Sequence, residues 1–364
     1  MPLFMDLHKA ADYQVKPTVE EIKRNHIADL KTQAKYGVRF IQYWINEEAG
    51  LVFCMMEAPD KESCIATHQQ AHGDMPCNII ELKGGDYEIF MGDGKVNSFD
   101  ITENIEGGFD TGHRSILVAE IISLEDNGYP YRIFKDIVKR FNGREVGHET
   151  DRQQVVFNQS SKAIACARAL QQEFIPLKNQ ETEIRIGISS GAPVTEHDSI
   201  FFESAVQLAD CLCHFAMDGQ ISISTQAAAS AKAMLAESVH DVNILKVMSP
   251  SDEKVLSNFL AAITSMPDSE DMSMEKLSKK LGMSKAQLYR KIKSLSGHSP
   301  NGLIQEMKLK KAFHLISQKF GNVAEIAFAS GFNSPSYFSK SFQKRFGKLP
   351  AKVLKSISSS GHMA

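Results

Sequence analysis

The sequence predicts a multidomain α+β protein, and three observations lead to this prediction. Its 364 residues exceed one domain of ordinary size, for which about 150 residues is typical. Strand-like and helix-like periodicities alternate through residues 1–240, whereas the basic end of the chain shows helical periodicity alone. Residues 1–250 carry 23 Lys and Arg against 36 Asp and Glu, whereas residues 272–355 carry 17 against 3. This division of charge predicts that the two ends of the chain meet different partners, the basic end a polyanion.

The overall composition excludes several classes of protein. Hydrophobic residues make up 43% and charged residues 23% of the chain, which is typical of globular proteins. No run of 18 apolar residues occurs, and the first residues lack the basic and apolar regions of a secretory signal. We therefore expect a cytoplasmic protein without a membrane partner. Six cysteines are too sparse for a disulfide framework in a chain of this length.

Residues 1–83 read in order as strand, helix, strand, strand, helix and strand. This βαββαβ order predicts a ferredoxin-like N-terminal domain. Thr18 and Glu21 have the spacing of a capping box at the start of the first helix, and Gly37 stands where that helix ends. Residues 84–113 are rich in glycine and acidic side chains, which predicts a linker with room for one short strand.

Residues 114–240 predict a second domain, a layered α/β unit. An apolar strand over 115–124 is followed by alternating amphipathic helices and strands as far as residue 224. Residues 241–270 look helical and then become polar, so we expect a helical linker that ends in a hinge.

Residues 271–356 predict an all-α C-terminal domain with two helix-turn-helix patterns. Gly282 and Gly331 occupy the two turns, and a helix over residues 300–318 connects the patterns. A polar, basic helix with a hydroxyl cap suits insertion into the major groove of DNA. Tyr337 and Phe338 are expected in the core, and residues 357–364 as a disordered tail. The DNA-contact candidates on the two second helices are Ser284, Lys285, Gln287, Arg290, Ser334, Ser336 and Lys340.

The second pattern resembles that of the AraC family of transcription regulators. Lys308 and Gln343 stand where that family usually has Arg and Lys. The resemblance implies binding to double-stranded DNA, and we expect a homodimer. The matching positions are Glu325-Ile326-Ala327, Gly331-Phe332, Ser336-Tyr337-Phe338-Ser339, Phe342, Phe346-Gly347 and Pro350.

The stretch IRIGISSG, residues 184–191, gives the middle domain a cyclase-like character, because it resembles a strand and turn of class III nucleotide cyclases. The resemblance implies two metal-binding aspartates. Glu120 stands at the position of the first aspartate. Asp151 stands at the position of the second, but the glycines that flank it in the family are absent. Gln207 and Cys211 replace the Asn and Arg that orient the transferring phosphoryl group, so its stabilisation would be lost. We therefore predict a non-catalytic domain. It serves either as a dimerising spacer or as a nucleotide pocket around Glu120 and Asp151.

The N-terminal domain contains a set of candidate metal ligands. His68 and His72 are four residues apart on a predicted helix, which places both rings on one face. A thiolate from a strand could complete a mixed nitrogen and sulfur site. The alternative is that these histidines are hydrogen-bonded core residues. The candidates are His8, His26, Cys54, His68 and His72.

The same segment is similar to a family of small nickel-binding domains. The resemblance implies a transition metal, and zinc or copper would suit the same ligands as nickel. The positions that carry it are His26-Ile27-Ala28-Asp29, Tyr36-Gly37-Val38, Tyr43-Trp44, Phe53-Cys54, Glu57-Ala58-Pro59 and His68 to Gly73.

Together these features predict a transcription regulator that is not an enzyme. Its C-terminal domain would bind DNA, while the N-terminal domains sense a metal or a small ligand, a nucleotide among them, and dimerise. Two alternatives stay open: an active class III nucleotide cyclase with a DNA-binding module, and a metal-handling protein.

Overall fold

The structure is a computed structural model, and it describes residues 1–9, 17–92, 94–124, 128–146, 152–177, 182–236, 244–265 and 274–360. Asp151, one of the two residues of the predicted nucleotide pocket, lies outside the described residues. So do residues 271–273 at the start of the predicted DNA-binding domain and residues 361–364 of the predicted tail.

The first sheet has the order β2-β3-β1-β4 with every neighbouring pair antiparallel. This arrangement confirms the ferredoxin-like prediction. The capping box is present: the Glu21 backbone N–H donates to Thr18 Oγ1 over 3.3 Å, and the Thr18 N–H donates to the Glu21 carboxylate over 2.8 Å. The elements are β1 Leu3–Lys9, α1 Val19–Thr32, β2 Arg39–Asn46, β3 Leu51–Glu57, α2 Lys61–Ala71 and β4 Asn78–Leu82.

The segment predicted as a linker, residues 84–113, packs against the first sheet. It forms α3 Asp86–Phe90 and a hairpin of β5 Lys95–Val96 and β6 Thr102–Glu103. Ile101 within it is fully buried and forms a bridge to Tyr43 of β2. Strands of two residues are too short to produce a periodic pattern in the sequence. The glycines were therefore the main structural signal in this segment, and they predicted a linker.

The second sheet has the order β12-β11-β10-β7-β9-β8. Its central pair, β7 and β10, is antiparallel, whereas β10, β11 and β12 run parallel to one another. Its strands are β7 Arg114–Ser123, β8 Arg144–Val146, β9 Arg152–Phe157, β10 Thr182–Gly191, β11 Ile221–Ile223 and β12 Leu245–Val247. The helices of this region are α4 Tyr129–Arg140, α5 Ser160–Phe174, α6 Glu203–Phe215, α7 Thr225–Ser230, α8 Lys232–Ala236 and α9 Pro250–Thr264.

The expected helical linker at 241–270 differs from the structure at its start. Leu245–Val247 is a strand that pairs with β11, and helix α9 begins only at Pro250. Backbone pairing with a neighbouring strand decides the conformation of so short a segment, and this is a tertiary effect.

The C-terminal region consists of helices, as predicted, and both predicted turns are present. Gly282 and Gly331 adopt φ values of 62° and 85°, a region that favours glycine. The last helix continues to Ser360, so the disordered tail predicted from residue 357 is wrong up to that point. These helices are α10 Met274–Lys280, α11 Lys285–Ser296, α12 Pro300–Ser317, α13 Val323–Ala329, α14 Pro335–Phe346 and α15 Pro350–Ser360.

Strand β7 lies between the other parts of the molecule. Its residues Ile116 and Val118 pack in one cluster with Leu7 and Trp44 of the first sheet. Further along the same strand, Ile122 packs in the core of the C-terminal helices. The second sheet therefore contacts both ends of the chain. Among the described residues, no helix combines the length and the apolar character needed to cross a membrane.

Candidate metal centre and nucleic-acid interface

His68 of α2 is the centre of a buried cluster in the N-terminal domain. Its Nε2 lies 2.8 Å from Asp6 Oδ2, and its Nδ1 lies 3.1 Å from Asp29 Oδ1. Both carboxylates are buried, one on β1 and one on α1. One imidazole therefore connects three elements of the ferredoxin-like fold.

His8 and His72 extend this cluster into two triads that share His68. His8 Nε2 lies 3.4 Å from Asp6 Oδ2, and His72 Nε2 lies 3.1 Å from Asp29 Oδ1. The possible ligand atoms within each triad all lie within 4.8 Å of one another. The triads, which we call the histidine–aspartate cluster, are Asp6, His8 and His68, and Asp29, His68 and His72.

Sequence reasoning missed both aspartates as partners. Asp6 precedes His8 by two residues on a strand and so shares its face, and a carboxylate on an apolar strand face is the signal that could have found it. Asp29 offered a weaker signal, three residues after His26 on the partly buried side of α1.

The charges in this cluster are strongly coupled. Burial by itself would raise the pKa of the Asp6 carboxyl, but the neighbouring His8 and His68 hold it below its ordinary value. Burial would likewise lower the pKa of His68, but hydrogen bonds to Asp29 and Asp6 raise it to about 9. A metal ion bound here would have to displace protons from the imidazoles.

The cluster lines a cavity of about 340 Å³, and His26 and Cys54 line it as well. His26 lies outside both triads, because its Nε2 contacts Asp100 Oδ2 at 3.1 Å. Burial raises the pKa of the Cys54 thiol, and the backbone N–H of Cys54 donates to Asp6 over 2.9 Å. All five candidate ligands thus surround one cavity, but only three of them belong to the triads.

The donor set fits a borderline divalent metal. Imidazole nitrogens and carboxylate oxygens are ligands of nickel, zinc and copper. The buried His8 Nδ1 forms no hydrogen bond with the residues that the structure describes, and Asp74 Oδ2 lies 3.7 Å from it. A bound cation would give this buried nitrogen a partner.

Helices α11 and α14 each begin at a serine cap. The Gln287 N–H donates to Ser284 Oγ over 3.2 Å, and the Tyr337 N–H donates to Ser334 Oγ over 3.3 Å. The Gln287 side chain in turn accepts from the Ser284 N–H at 3.0 Å. These candidate DNA contacts are therefore occupied in capping, which fixes the start of each helix.

The remaining DNA-contact candidates are exposed. Arg290 lies on α11, and Ser336 and Lys340 lie on α14, all open to solvent. Lys285 is also exposed and forms an ion pair with Glu275 at 3.2 Å.

Tyr337 was expected in the core, and this is wrong, because its side chain is 56% exposed. Phe338 is fully buried, as expected. Adjacent residues of a helix point about 100° apart, so Phe338 faces the core and Tyr337 joins the exposed face. On α12, Lys308 donates to the Gly331 carbonyl over 2.5 Å and so stabilises the second turn.

Glu120 of β7 does not face an open nucleotide pocket. Its side chain is 4% exposed and forms ion pairs with Lys310 of α12 and with Arg152, the latter at 3.5 Å. Burial would raise the pKa of Glu120, but Lys310, Arg152 and Arg185 hold it well below the ordinary value. The protein's own cations therefore pair with the carboxylate that was a candidate for the nucleotide pocket.

A second group of ion pairs joins α14 to the same end of the sheet. Arg345 contacts Glu183 Oε2 at 2.6 Å and Glu306 Oε2 at 2.8 Å, while Arg185 contacts Glu306 Oε1 at 3.0 Å. With Glu120 and Lys310 these residues form what we call the docking cluster. Sequence reasoning missed it, because its members lie up to 225 residues apart on four elements.

Two segments of the chain match known families, and each segment contains one of the sites described above. Residues 277–356 match the family described as a helix-turn-helix domain. Over 115 residues the chain is 29% identical to the HTH-type transcriptional regulator MtrA of Neisseria gonorrhoeae, covering 32% of this chain and 38% of the relative. The chain carries an AraC-type helix-turn-helix domain.

Residues 4–82 match the family described as nickel responsive protein SCO4226-like.

The chain is also 35% identical over 105 residues to histidine kinase P4 of Formosa agariphila, covering 29% of this chain and 8% of the relative. The chain thus spans well under half the length of these curated relatives.

Solved structures resemble separate parts of the chain. SCO4226 of Streptomyces coelicolor A3(2) is 28% identical over 21% of this chain and 90% of its own, with a TM-score of 0.19. An AraC-type regulator from Chromobacterium violaceum is 23% identical over 30% of this chain and 97% of its own, with a TM-score of 0.28. The adenylyl cyclase CyaB of P. aeruginosa is 18% identical over 33% of this chain and 81% of its own, also with a TM-score of 0.28.

Proposed function

We propose that this protein is a transcription regulator that binds specific double-stranded DNA through its AraC-type domain. The observation that carries the proposal is the pair of capped helices α11 and α14, each with an exposed polar face, within a segment of net charge +14. Arg290 and Lys340 are the proposed base or phosphate contacts, with Ser336 beside Lys340.

Selection of duplexes from a random-sequence pool by the full-length protein tests this function. We expect one recurring sequence whose two half-sites lie about one helical turn apart, one for each recognition helix. Recovery of duplexes without a shared sequence would contradict the proposal.

We propose further that the SCO4226-like domain binds a divalent transition metal through the histidine–aspartate cluster. His8, His68 and His72 would supply imidazole ligands, and Asp6 and Asp29 would supply or orient carboxylates. A bound metal would neutralise two buried carboxylates and draw β1, α1 and α2 together. The family match favours nickel over zinc or copper. Elemental analysis after equilibration with each metal tests the choice.

The second sheet is proposed to have a structural role rather than cyclase activity. Lys310 neutralises Glu120, Cys211 is buried against α9, and Gln207 donates to Glu203 over 3.0 Å. Incubation with ATP or GTP and Mn²⁺ should therefore yield no cyclic nucleotide above that of an Asp151→Ala control. The homodimer stays a prediction, and light scattering of the full chain is its test.

A further inference from the structure

The cavity beside the histidine–aspartate cluster is larger than a metal ion requires. Its volume of about 340 Å³ exceeds that of a water molecule, about 30 Å³ in the liquid, roughly tenfold, and it falls in the range of small-molecule sites. Ile22, Val52 and Pro17 supply apolar lining, and Arg24 and Asn25 supply polar lining. These features suit a compact organic molecule.

Two lining residues outside the triads have buried polar atoms without a partner. Tyr43 is 1% exposed and His26 is 5% exposed. Tyr43 Oη and His26 Nδ1 form no hydrogen bond with any residue that the structure describes. Their rings lie next to each other, with centroids 4.4 Å apart. Because an unpaired buried polar atom is costly, two such atoms on adjacent rings that line one cavity point to a ligand that satisfies both.

The hydrogen-bonding chemistry of His26 limits what that ligand can be. Its Nε2 lies 3.1 Å from the Asp100 carboxylate, which can only accept, so Nε2 carries the hydrogen. When the ring is neutral, Nδ1 is an acceptor and pairs with an O–H or N–H donor of the ligand. The Tyr43 hydroxyl can donate to a ligand hydroxyl or accept from a ligand amino group.

The charge at the cavity indicates a second group on the ligand. Arg24 is an exposed cation of α1 that lines the same cavity, and Asn25 beside it offers an amide donor. Lys9 is a second cation of the lining. The carboxylates of the lining are those of Glu21, Asp29 and Asp74. A guanidinium binds a carboxylate through paired hydrogen bonds.

We propose that this cavity binds a small α-hydroxy or α-amino carboxylate. The hydroxyl or amino group contacts His26 and Tyr43, and the carboxylate contacts Arg24. The site shares its cavity with the proposed metal centre but does not depend on a bound metal.

Three four-carbon dicarboxylates test the proposal, because they differ only in the group at the second carbon. L-malate has a hydroxyl there, L-aspartate an amino group, and succinate only hydrogen. We expect calorimetry on the full-length protein to show malate and aspartate binding at least about tenfold more tightly than succinate, since succinate leaves the two buried atoms unpaired. Equal affinity for all three, or binding of none, would overturn the proposal.

Variants of the protein separate the two contacts. Tyr43→Phe should weaken malate binding roughly tenfold and leave succinate binding unchanged, whereas Tyr129→Phe at an exposed position should change neither. Arg24→Gln lies at the surface, keeps the fold, and should weaken all three ligands. Unchanged malate affinity in folded Tyr43→Phe would rule out the assigned contact.

Parallel titrations with metal-free and nickel-loaded protein distinguish this proposal from the metal proposal. Malate binding without nickel uptake would refute the metal centre alone, and nickel uptake without malate binding would refute the organic ligand alone.

Discussion

The ammonium group of Lys310 on α12 forms an ion pair with the carboxylate of Glu120 on β7, and both side chains are buried. The pair joins the AraC-type domain to the sheet that also contacts the N-terminal domain. Arg345 and Glu183 strengthen the same junction at 2.6 Å. The DNA-binding domain is thus docked through charges that have little access to water.

Removing one partner of this pair should destabilise the protein strongly. Lys310→Met removes the nearer of the two cations paired with buried Glu120 and leaves Arg152 at 3.5 Å, and breaking a buried pair costs about 3–5 kcal/mol. The double variant with Glu120→Gln should recover much of that loss, because no unpaired charge remains. Urea unfolding of the four proteins of this cycle measures the coupling. Lys139→Met, which removes an exposed cation from α4, is the control and should change stability by less than about 0.5 kcal/mol. Strictly additive losses would show that the two residues do not interact.

The stability of the metal-free protein should fall as the pH rises above neutrality. The pKa of His68 is raised to about 9 in the folded protein, against about 6.5 in the unfolded chain. The stabilisation of the folded state by protonated His68 is therefore complete below about pH 6.5, and it is lost as the pH rises through about 9. Thermal unfolding of the metal-free protein between pH 6 and pH 10 measures this loss. A melting temperature that rises over this range in metal-free protein would contradict the assignment.

Nickel affinity should rise over the same range of pH, because binding must displace the proton on His68. An unperturbed histidine would place this dependence near about pH 6.5. The carboxylates of Asp6 and Asp29 move this dependence to higher pH, because their hydrogen bonds raise the pKa of His68. Titrations in buffers of different ionisation enthalpy count the protons released, and release of none between about pH 7 and pH 8 would exclude His68 as a ligand.

A His68→Ala, His72→Ala double variant should lose the metal and keep its secondary structure, with lower stability because Asp6 and Asp29 lose their buried partner. Both rings belong to a triad, and His72 lies at the partly exposed edge of the cluster. The exposed residue His197 provides the matched control, since His197→Ala removes an imidazole outside the triads. Elemental analysis of the dialysed proteins measures their metal content, and circular dichroism measures their secondary structure. Full metal content in the double variant would exclude the cluster as the site.

Substitutions on the two recognition helices should separate specificity from general affinity. Arg290→Ala should cost about 1–3 kcal/mol on the selected duplex if the guanidinium contacts a base. Lys340→Met should instead lower the slope of log affinity against log salt by about 0.9 if it contacts one phosphate. Lys135→Met on α4 is the control for loss of a cation. Fluorescence anisotropy at several salt concentrations measures both effects, and unchanged affinity and slope in both variants would exclude these helices as the interface.

Local patterns were sufficient to predict much of this protein. The βαββαβ order, the capping box at Thr18 and the turns at Gly282 and Gly331 depend on residues close together in the chain. The two helix-turn-helix patterns are local for the same reason. His68 and His72 share one face of α2 because helical spacing requires it.

What the sequence determined by itself is therefore the kind of each domain and the set of side chains able to bind metal or DNA. Only the tertiary structure decided their partners: Asp6 and Asp29 join His68 from different elements, and Lys310 reaches Glu120 across 190 positions of the chain. It also excluded His26 from the triads and placed it beside Tyr43. The physical reason is that the energy of a buried charge or polar atom depends on which groups surround it in space. Periodicity along the chain records which face is buried, but not which side chains meet there.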